Sequence, residues 1–176
     1  MIGSERVRLR EVTADDVERI DTWEADPVIK GEFNDFGEPP HSIAESFAAG
    51  TIIGDDHGML VIERVADDEP IGTVGWRAVR YGPTTGSRAW QLGISIIPEG
   101  RGRGFGSEAQ RLLADHLFDT TDAFRVEAST DVDNLAEQRA LEKAGYQREG
   151  VNRGAQVRPT GRHDLILYAR LRSDLD

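Results

Sequence analysis

Residues 98–109 read Pro-Glu-Gly-Arg-Gly-Arg-Gly-Phe-Gly-Ser-Glu-Ala, with glycine at positions 100, 102, 104 and 106. Glycine lets a main chain come close to a ligand and adopt positive φ at little steric cost. Ala109, Leu112, Leu113, His116 and Leu117 then keep helical spacing, so the loop runs directly into a helix. A helix start offers unpaired N–H groups and the positive end of a dipole to an anion. Arg101 and Arg103 add charge. Together these features point to a diphosphate site over Arg101, Gly102, Arg103, Gly104, Phe105, Gly106 and Ser107. The competing reading is a flexible connector with solvated arginines.

Two commoner phosphate patterns are disfavoured. Gly104-Phe105-Gly106-Ser107-Glu108-Ala109 fits G-x-G-x-x-A, and Glu127 follows Gly104 at a distance suited to a ribose-binding acid. That fingerprint belongs after the first strand of a parallel sheet, whereas three hairpin-linked strands precede it here. A P-loop is excluded because no Gly-Lys-Ser/Thr follows. Cysteine is absent, which removes disulfides, thiolate metal sites and cysteine nucleophiles. No metal is expected.

The elements around the loop read as follows. Residues 5–11 alternate apolar and charged, as a half-exposed strand does, with Val7 and Leu9 on one face. Thr13 opens a helix whose first turn holds Asp15 and Asp16 and whose stripe uses Val17, Ile20 and Trp23, until Asp26-Pro27 stops it. A loop over 31–40 and a short helix over 41–49 follow. Strands over 58–65 and 70–80 flank an Ala-Asp-Asp-Glu-Pro turn as a hairpin. A further strand covers 88–97, then come the glycine loop and its helix. A short strand over 124–129 precedes a helix over 133–144, with Leu135 and Leu141 inward and Gly145 at its C-terminal cap. Strands over 146–151 and 163–171 end the chain. The order implies an α+β fold with a mixed sheet.

The chain has 176 residues, 38% of them hydrophobic and 30% charged, which suits one globular domain over 1–176. No apolar run approaches the roughly 20 residues that span a bilayer, and the amino-terminal residues lack the apolar stretch of a secretion signal. The expected location is the cytoplasm, with no membrane partner. The net charge of −11, from 32 acids against 21 bases, disfavours nucleic acid. It attracts cationic small molecules or basic peptide ends, or does no more than keep the protein soluble.

Arg101-Gly102-Arg103-Gly104-Phe105-Gly106 resembles the Arg/Gln-x-x-Gly-x-Gly/Ala signature of the GNAT acetyltransferases. The run from Asn134 through Arg139 and Lys143 to Gly145-Tyr146 is similar to a second element of that family. Glu149-Gly150 with Arg153, then Gly161-Arg162-His163-Asp164 and Tyr168, resembles the tail of its RimJ/RimL-type branch, as Arg6 to Arg10 with Asp15-Asp16 resembles its start. The resemblance spans nearly the whole chain. It implies a mostly antiparallel sheet of six to seven strands, flanked by about four helices and opened by two splayed central parallel strands, here 88–97 and 124–129. It also implies acetyl-CoA as cosubstrate, its phosphates on the N–H groups of 101–106 and its pantetheine arm paired with Ile96 and Ile97. An N–H near Ile94 to Ile96 would polarise the thioester carbonyl. The acceptor would be a primary amine, on a small molecule or a protein amino terminus, attacking directly in a ternary complex. Asn134 would contact the arm or cap its helix. Arg139 would reach the cofactor or, as the preferred reading, pair with nearby carboxylates. A homodimer is among the assemblies this leaves open.

Proton transfer is where the pattern departs from the family. Many members carry a glutamate on the strand before the glycine loop, where this chain has Gln91. An amide cannot accept the amine's proton, though it can hold water or substrate. Many members also place a tyrosine on the second helix, where this chain has Leu141. Ser129, at the end of the 124–129 strand, is a candidate donor to the leaving thiolate or else a hydroxyl bonded to backbone. Asp133 reads as a helix cap before it reads as a base. Gln91 and Leu141 keep a second reading alive, a non-catalytic acyl-CoA-binding sensor or accessory domain.

Overall fold

The computed structural model describes residues 2–39 and 41–175. Met1, Pro40 and Asp176, which fall within the expected domain and the expected 31–40 loop, lie outside the described residues. Strand β1 (Ile2–Gly3) and β2 (Val7–Arg10) lead into helix α1 (Ala14–Ala25), then the short helices α2 (Pro27–Lys30) and α3 (Ile43–Ala48). Strands β3 (His57–Arg64), β4 (Glu69–Arg80) and β5 (Arg88–Ile96) precede α4 (Phe105–Thr120). Then come β6 (Arg125–Asp131), α5 (Leu135–Lys143), β7 (Gln147–Arg158) and β8 (Gly161–Leu171). One eight-stranded sheet forms in the order β1-β2-β3-β4-β5-β6-β8-β7. The expected α+β class is what forms. The two-residue β1 takes the strand count past six to seven, and the four-residue α2 and six-residue α3 bring the described helices to five.

Local chemistry explains the element ends. Asp16 Oδ2 accepts from the Thr13 N–H at 2.8 Å, which closes the start of α1. Asp26 ends that helix and caps the next, its Oδ1 accepting from Val28 N at 2.8 Å ahead of Pro27 at the first helical position. Beside α1, the Arg10 guanidinium grips Asp16 through two bonds of 2.6 and 2.9 Å and reaches Glu63 on β3. Asp16 and Glu63 are both buried, so this ion cluster pins the first helix to the sheet.

Apolar residues cover both faces of the sheet. Trp90, Leu92, Val126, Ala128, Ile166 and Tyr168 pack with Phe105, Leu113 and Phe118 of α4 and with Leu141 of α5. Val61 packs with Ile20 of α1 and Ile43 of α3 on the other face. Leu135, expected inward, is 56% exposed, because it is the first residue of α5 and projects ahead of the turn that meets the sheet.

Every strand pair is antiparallel except β5 with β6. That parallel pairing has only three rungs, Trp90 with Val126, Gln91 with Glu127 and Leu92 with Ala128. Beyond them β5 runs on to Ile96 beside β4 and β6 to Asp131 beside β8, without pairing to each other. A wedge-shaped gap therefore opens in the middle of the sheet, and the glycine loop begins where β5 ends.

Candidate active site

The gap is bordered by the unpaired edges of β5 beyond Leu92 and β6 beyond Ala128. Ile97 N donates to Ile71 O at 3.0 Å, and Ile96 stands opposite Gly72. In an antiparallel ladder, residues alternate between bonding the partner and pointing away from it. The N–H and C=O of Ile96 and Ile94 therefore face the gap, and the N–H of Ile97 faces β4. Ile97, expected to pair with a ligand alongside Ile96, donates its N–H to Ile71 O and accepts from Gly100 N at its carbonyl, while the main-chain groups that face the gap are those of Ile94 and Ile96.

The glycine loop supplies the second set of free donors. Gly102 has φ 71° and Gly104 has φ 83°, and Gly104 is the N-terminal cap of α4. These left-handed conformations turn the chain so that the N–H groups of Gly102 through Ser107 bond to no other described residue. The first helical bond runs from Glu108 N to Gly104 O at 3.2 Å. Ser107 Oγ donates back to Gly104 O at 2.9 Å. The loop side chains are less uniform than the sequence suggested. Phe105 is buried in the core, so only its N–H can serve a ligand. Arg6 and Arg103 stack over its ring at 5.0 and 5.1 Å. Arg101 turns across the gap, its Nε donating to Ile96 O at 2.7 Å and its Nη2 to Ile29 O of α2.

A cleft of about 990 Å³ joins these features. It is lined by Gln91, Ile96, Arg101, Gly102, Gly104, Gly106, Ser107, Ser129 and Asn134 among the expected residues, and not by Ile97, Arg103 or Phe105. Asn134 caps α5, its Oδ1 accepting from Glu137 N at 3.2 Å. Asp133, expected as the cap, is exposed, and its N–H donates to Asp131 Oδ1 at 2.7 Å. Arg139 lines the cleft and takes part in no ion pair among the described residues, so the preferred carboxylate pairing does not form.

The narrow end of the cleft lies where the rungs stop. Gln91 is half-buried and its Oε1 accepts from Arg77 Nε at 2.8 Å and Nη2 at 2.5 Å. Ser129, beyond the last rung of β6, lines the cleft with no side-chain hydrogen bond among the described residues. Its hydroxyl is thus free, not tied to backbone. Leu141 is fully buried and offers no proton. Trp76 overlies Gly58 on the neighbouring strand so closely that any side chain at 58 would displace it, which fixes one wall.

A smaller recess of about 330 Å³ opens on the α1 side, lined by Glu24, Lys30, Asn34, Glu38, His41, Thr73, Gly93 and Ser95 among others. Burial raises the Glu24 carboxyl above its ordinary value, with Lys30 opposing. His41 Nε2 lies 2.8 Å from Ser46 Oγ. The sequence reading missed Arg77, Lys143 and Glu137 as cleft residues. Strand alternation gives a signal for Arg77, which stands opposite Gln91. Helical spacing gives one for Glu137, a turn before Leu141.

Comparison with known proteins agrees with this geometry. A family model described as acetyltransferase (GNAT) domain matches residues 6–147. The uncharacterized N-acetyltransferase YoaA of Bacillus subtilis is 28% identical over 174 residues, covering 96% of this chain and 95% of that protein. The spermidine N-acetyltransferase of Vibrio cholerae, solved with CoA and spermine, superposes with a TM-score of 0.82 at 21% identity, covering 98% of this chain and all of that one. RimJ of Mycobacterium smegmatis, solved with CoA-disulfide, gives a TM-score of 0.79 at 20% identity, covering 96% and 83%. With the family model spanning most of its length, this chain belongs to the GNAT acetyltransferases and is an acyltransferase.

Proposed function

We propose that this protein is an acetyl-CoA-dependent N-acetyltransferase of the RimJ/RimL type, moving an acetyl group to a primary amine by direct attack in a ternary complex. One observation carries the reading: the edge of β5 that faces the gap, with both main-chain groups of Ile94 and the N–H of Ile96, leads past the Arg101 side chain on Ile96 O to the free N–H groups of Gly102 through Ser107. An extended arm ending in a diphosphate fits that combination, the arm as an added strand and the diphosphate on the helix start.

Acetyl-CoA, when bound, supplies the activated acetyl group. The chain's own part is to hold charges and protons around it. The Ile94 N–H faces the gap and is placed to stabilise negative charge developing on an acyl oxygen. Ser129 Oγ is the free hydroxyl at that end, available to give a proton to a leaving thiolate. Gln91, held by Arg77, positions water or the acceptor. The amine enters from the recess, where Glu24 and Glu38 favour an acceptor with positive charge. Such an acceptor is a polycationic small molecule or a basic protein amino terminus.

The test is isothermal titration with acetyl-CoA, followed by release of free CoA against a panel of primary amines with the acetylated product read by mass. Binding with amine-dependent release is the expected result. Absence of acetyl-CoA binding overturns the reading. Binding without turnover on any amine supports the second one, a sensor, which the Arg77-occupied amide at position 91 favours.

A further inference from the structure

Glu137 stands in the wall of the cleft with Ala136 and Ala140 of α5, and Gly106 and Gln110 of α4 line the same cleft. It follows the Asn134 cap by one turn and precedes Leu141 by one turn, so all three share a helix face. Gln110 is almost wholly buried, and its Nε2 donates to Gly106 O at 3.3 Å. The Glu137 carboxyl is half-buried in that wall and makes no ion pair and no hydrogen bond among the described residues. A carboxylate left ionised here would face the very loop that collects a polyanion, and like charges repel.

We infer, on the reading that acetyl-CoA occupies this cleft, that Glu137 binds the cofactor as a neutral carboxylic acid, donating its O–H to an oxygen of coenzyme A. Binding then takes one proton from solvent wherever Glu137 is ionised in the free protein. The proton is lent, not transferred to the product, and returns when the cofactor leaves.

Burial pushes the Glu137 carboxyl up to about 7 against the opposing Gln110 amide, which puts the exchange near neutral pH. The groups around it do not replace it. Tyr146, between α5 and β7, is buried with an unpartnered hydroxyl and a pKa raised by that burial, so it stays neutral. Behind it Asp115 of α4 and Arg170 of β8 bond each other at 2.7 Å. Arg139 and Lys143 lie on Glu137's own helix and also line the cleft, and Arg101 lines it from the loop.

The experiment is calorimetric titration of acetyl-CoA into the full chain from about pH 6 to about pH 9, in buffers of different ionisation enthalpy. Wild type should take up close to one more proton than Glu137→Gln above neutrality. Its Kd should rise by up to about tenfold per pH unit there. Glu137→Gln, whose amide still donates, should bind with a Kd that is flatter with pH. Glu137→Ala should bind weaker than wild type at the acid end and equal or exceed it at the alkaline end. The cofactor's own phosphate titrates in every arm and cancels in the difference. Equal proton uptake in wild type and Glu137→Gln overturns the inference, as does loss of binding in a Glu137→Gln protein that melts like wild type. Failure of wild type to bind acetyl-CoA overturns the acetyl-CoA reading itself, a separate outcome.

Discussion

Arg101 Nε donates to the main-chain oxygen of Ile96 at 2.7 Å, laying a side chain across the wide end of the gap. The same guanidinium reaches Ile29 O, so one residue ties α2 to β5 and places a positive charge beside the free loop amides. Removing it loosens the strap and subtracts charge where an anion collects. Arg101→Ala should raise the acetyl-CoA Kd about tenfold, on the scale of one lost charge-assisted hydrogen bond. Calorimetric titration measures this, and an unchanged Kd would show that the residue is only a strap.

Gly104 holds φ 83° at the start of α4, a region that β-branched residues avoid. A Cβ there would meet only the tip of Arg6 at 3.9 Å, so the damage from Gly104→Val comes from the turn it forbids, not from crowding. Reshaping that turn misaligns the loop amides. Acetyl-CoA affinity should fall by about a hundredfold or more, while the melting temperature drops by only about 2–8 °C.

Gln91→Glu would place a carboxylate directly on the Arg77 guanidinium that now donates to the amide. The new acid would be held ionised by that pair. Turnover should be kept within about threefold at neutral pH and extend further into the acid range than wild type. A pH profile of kcat/KM checks it. Complete loss of turnover would show that the amide itself is required.

Asp16 predicts how the fold responds to acid. Burial acts to raise its carboxyl, but bonds from Arg10 and Thr13 outweigh burial and hold it at about 2, against an ordinary 3.8. A carboxyl held below its unfolded value stabilises the fold above about pH 4, and that contribution disappears as pH falls toward about 2. Asp16→Asn should cost about 2 kcal/mol at neutral pH, lowering the melting temperature by about 4–8 °C. Denaturant titration of both proteins at falling pH should show the difference shrinking.

The elements legible in the sequence are those with one wet face and one dry face. Strand β2 announces itself through the alternation of Val7 and Leu9 with arginines, and α4 through its stripe. The last hairpin was underestimated for the opposite reason. Strand β7 runs to Arg158 rather than 151, and its residues before Gly154 are exposed throughout, so no buried partner imposes a pattern. Two register shifts break its pairing with β8. In the candidate site, the loop glycines were readable because turn geometry demands them. The partners of its side chains were not: Arg77 meets Gln91 across a strand pair, and Glu137 approaches Gln110 across two helices. Those meetings depend on register and packing distance, which residue order does not carry.

Among the described residues, the three rungs between β5 and β6 are the only strand pairing between the two halves of the sheet. A visiting molecule that fills the wedge becomes, for as long as it stays, a ninth strand shared by both halves. Such a guest mends the protein as it is consumed. The folded state should therefore harden with the supply of its own reactant, by about 2.7 kcal/mol at a hundredfold excess over Kd, and slacken each time the spent carrier departs.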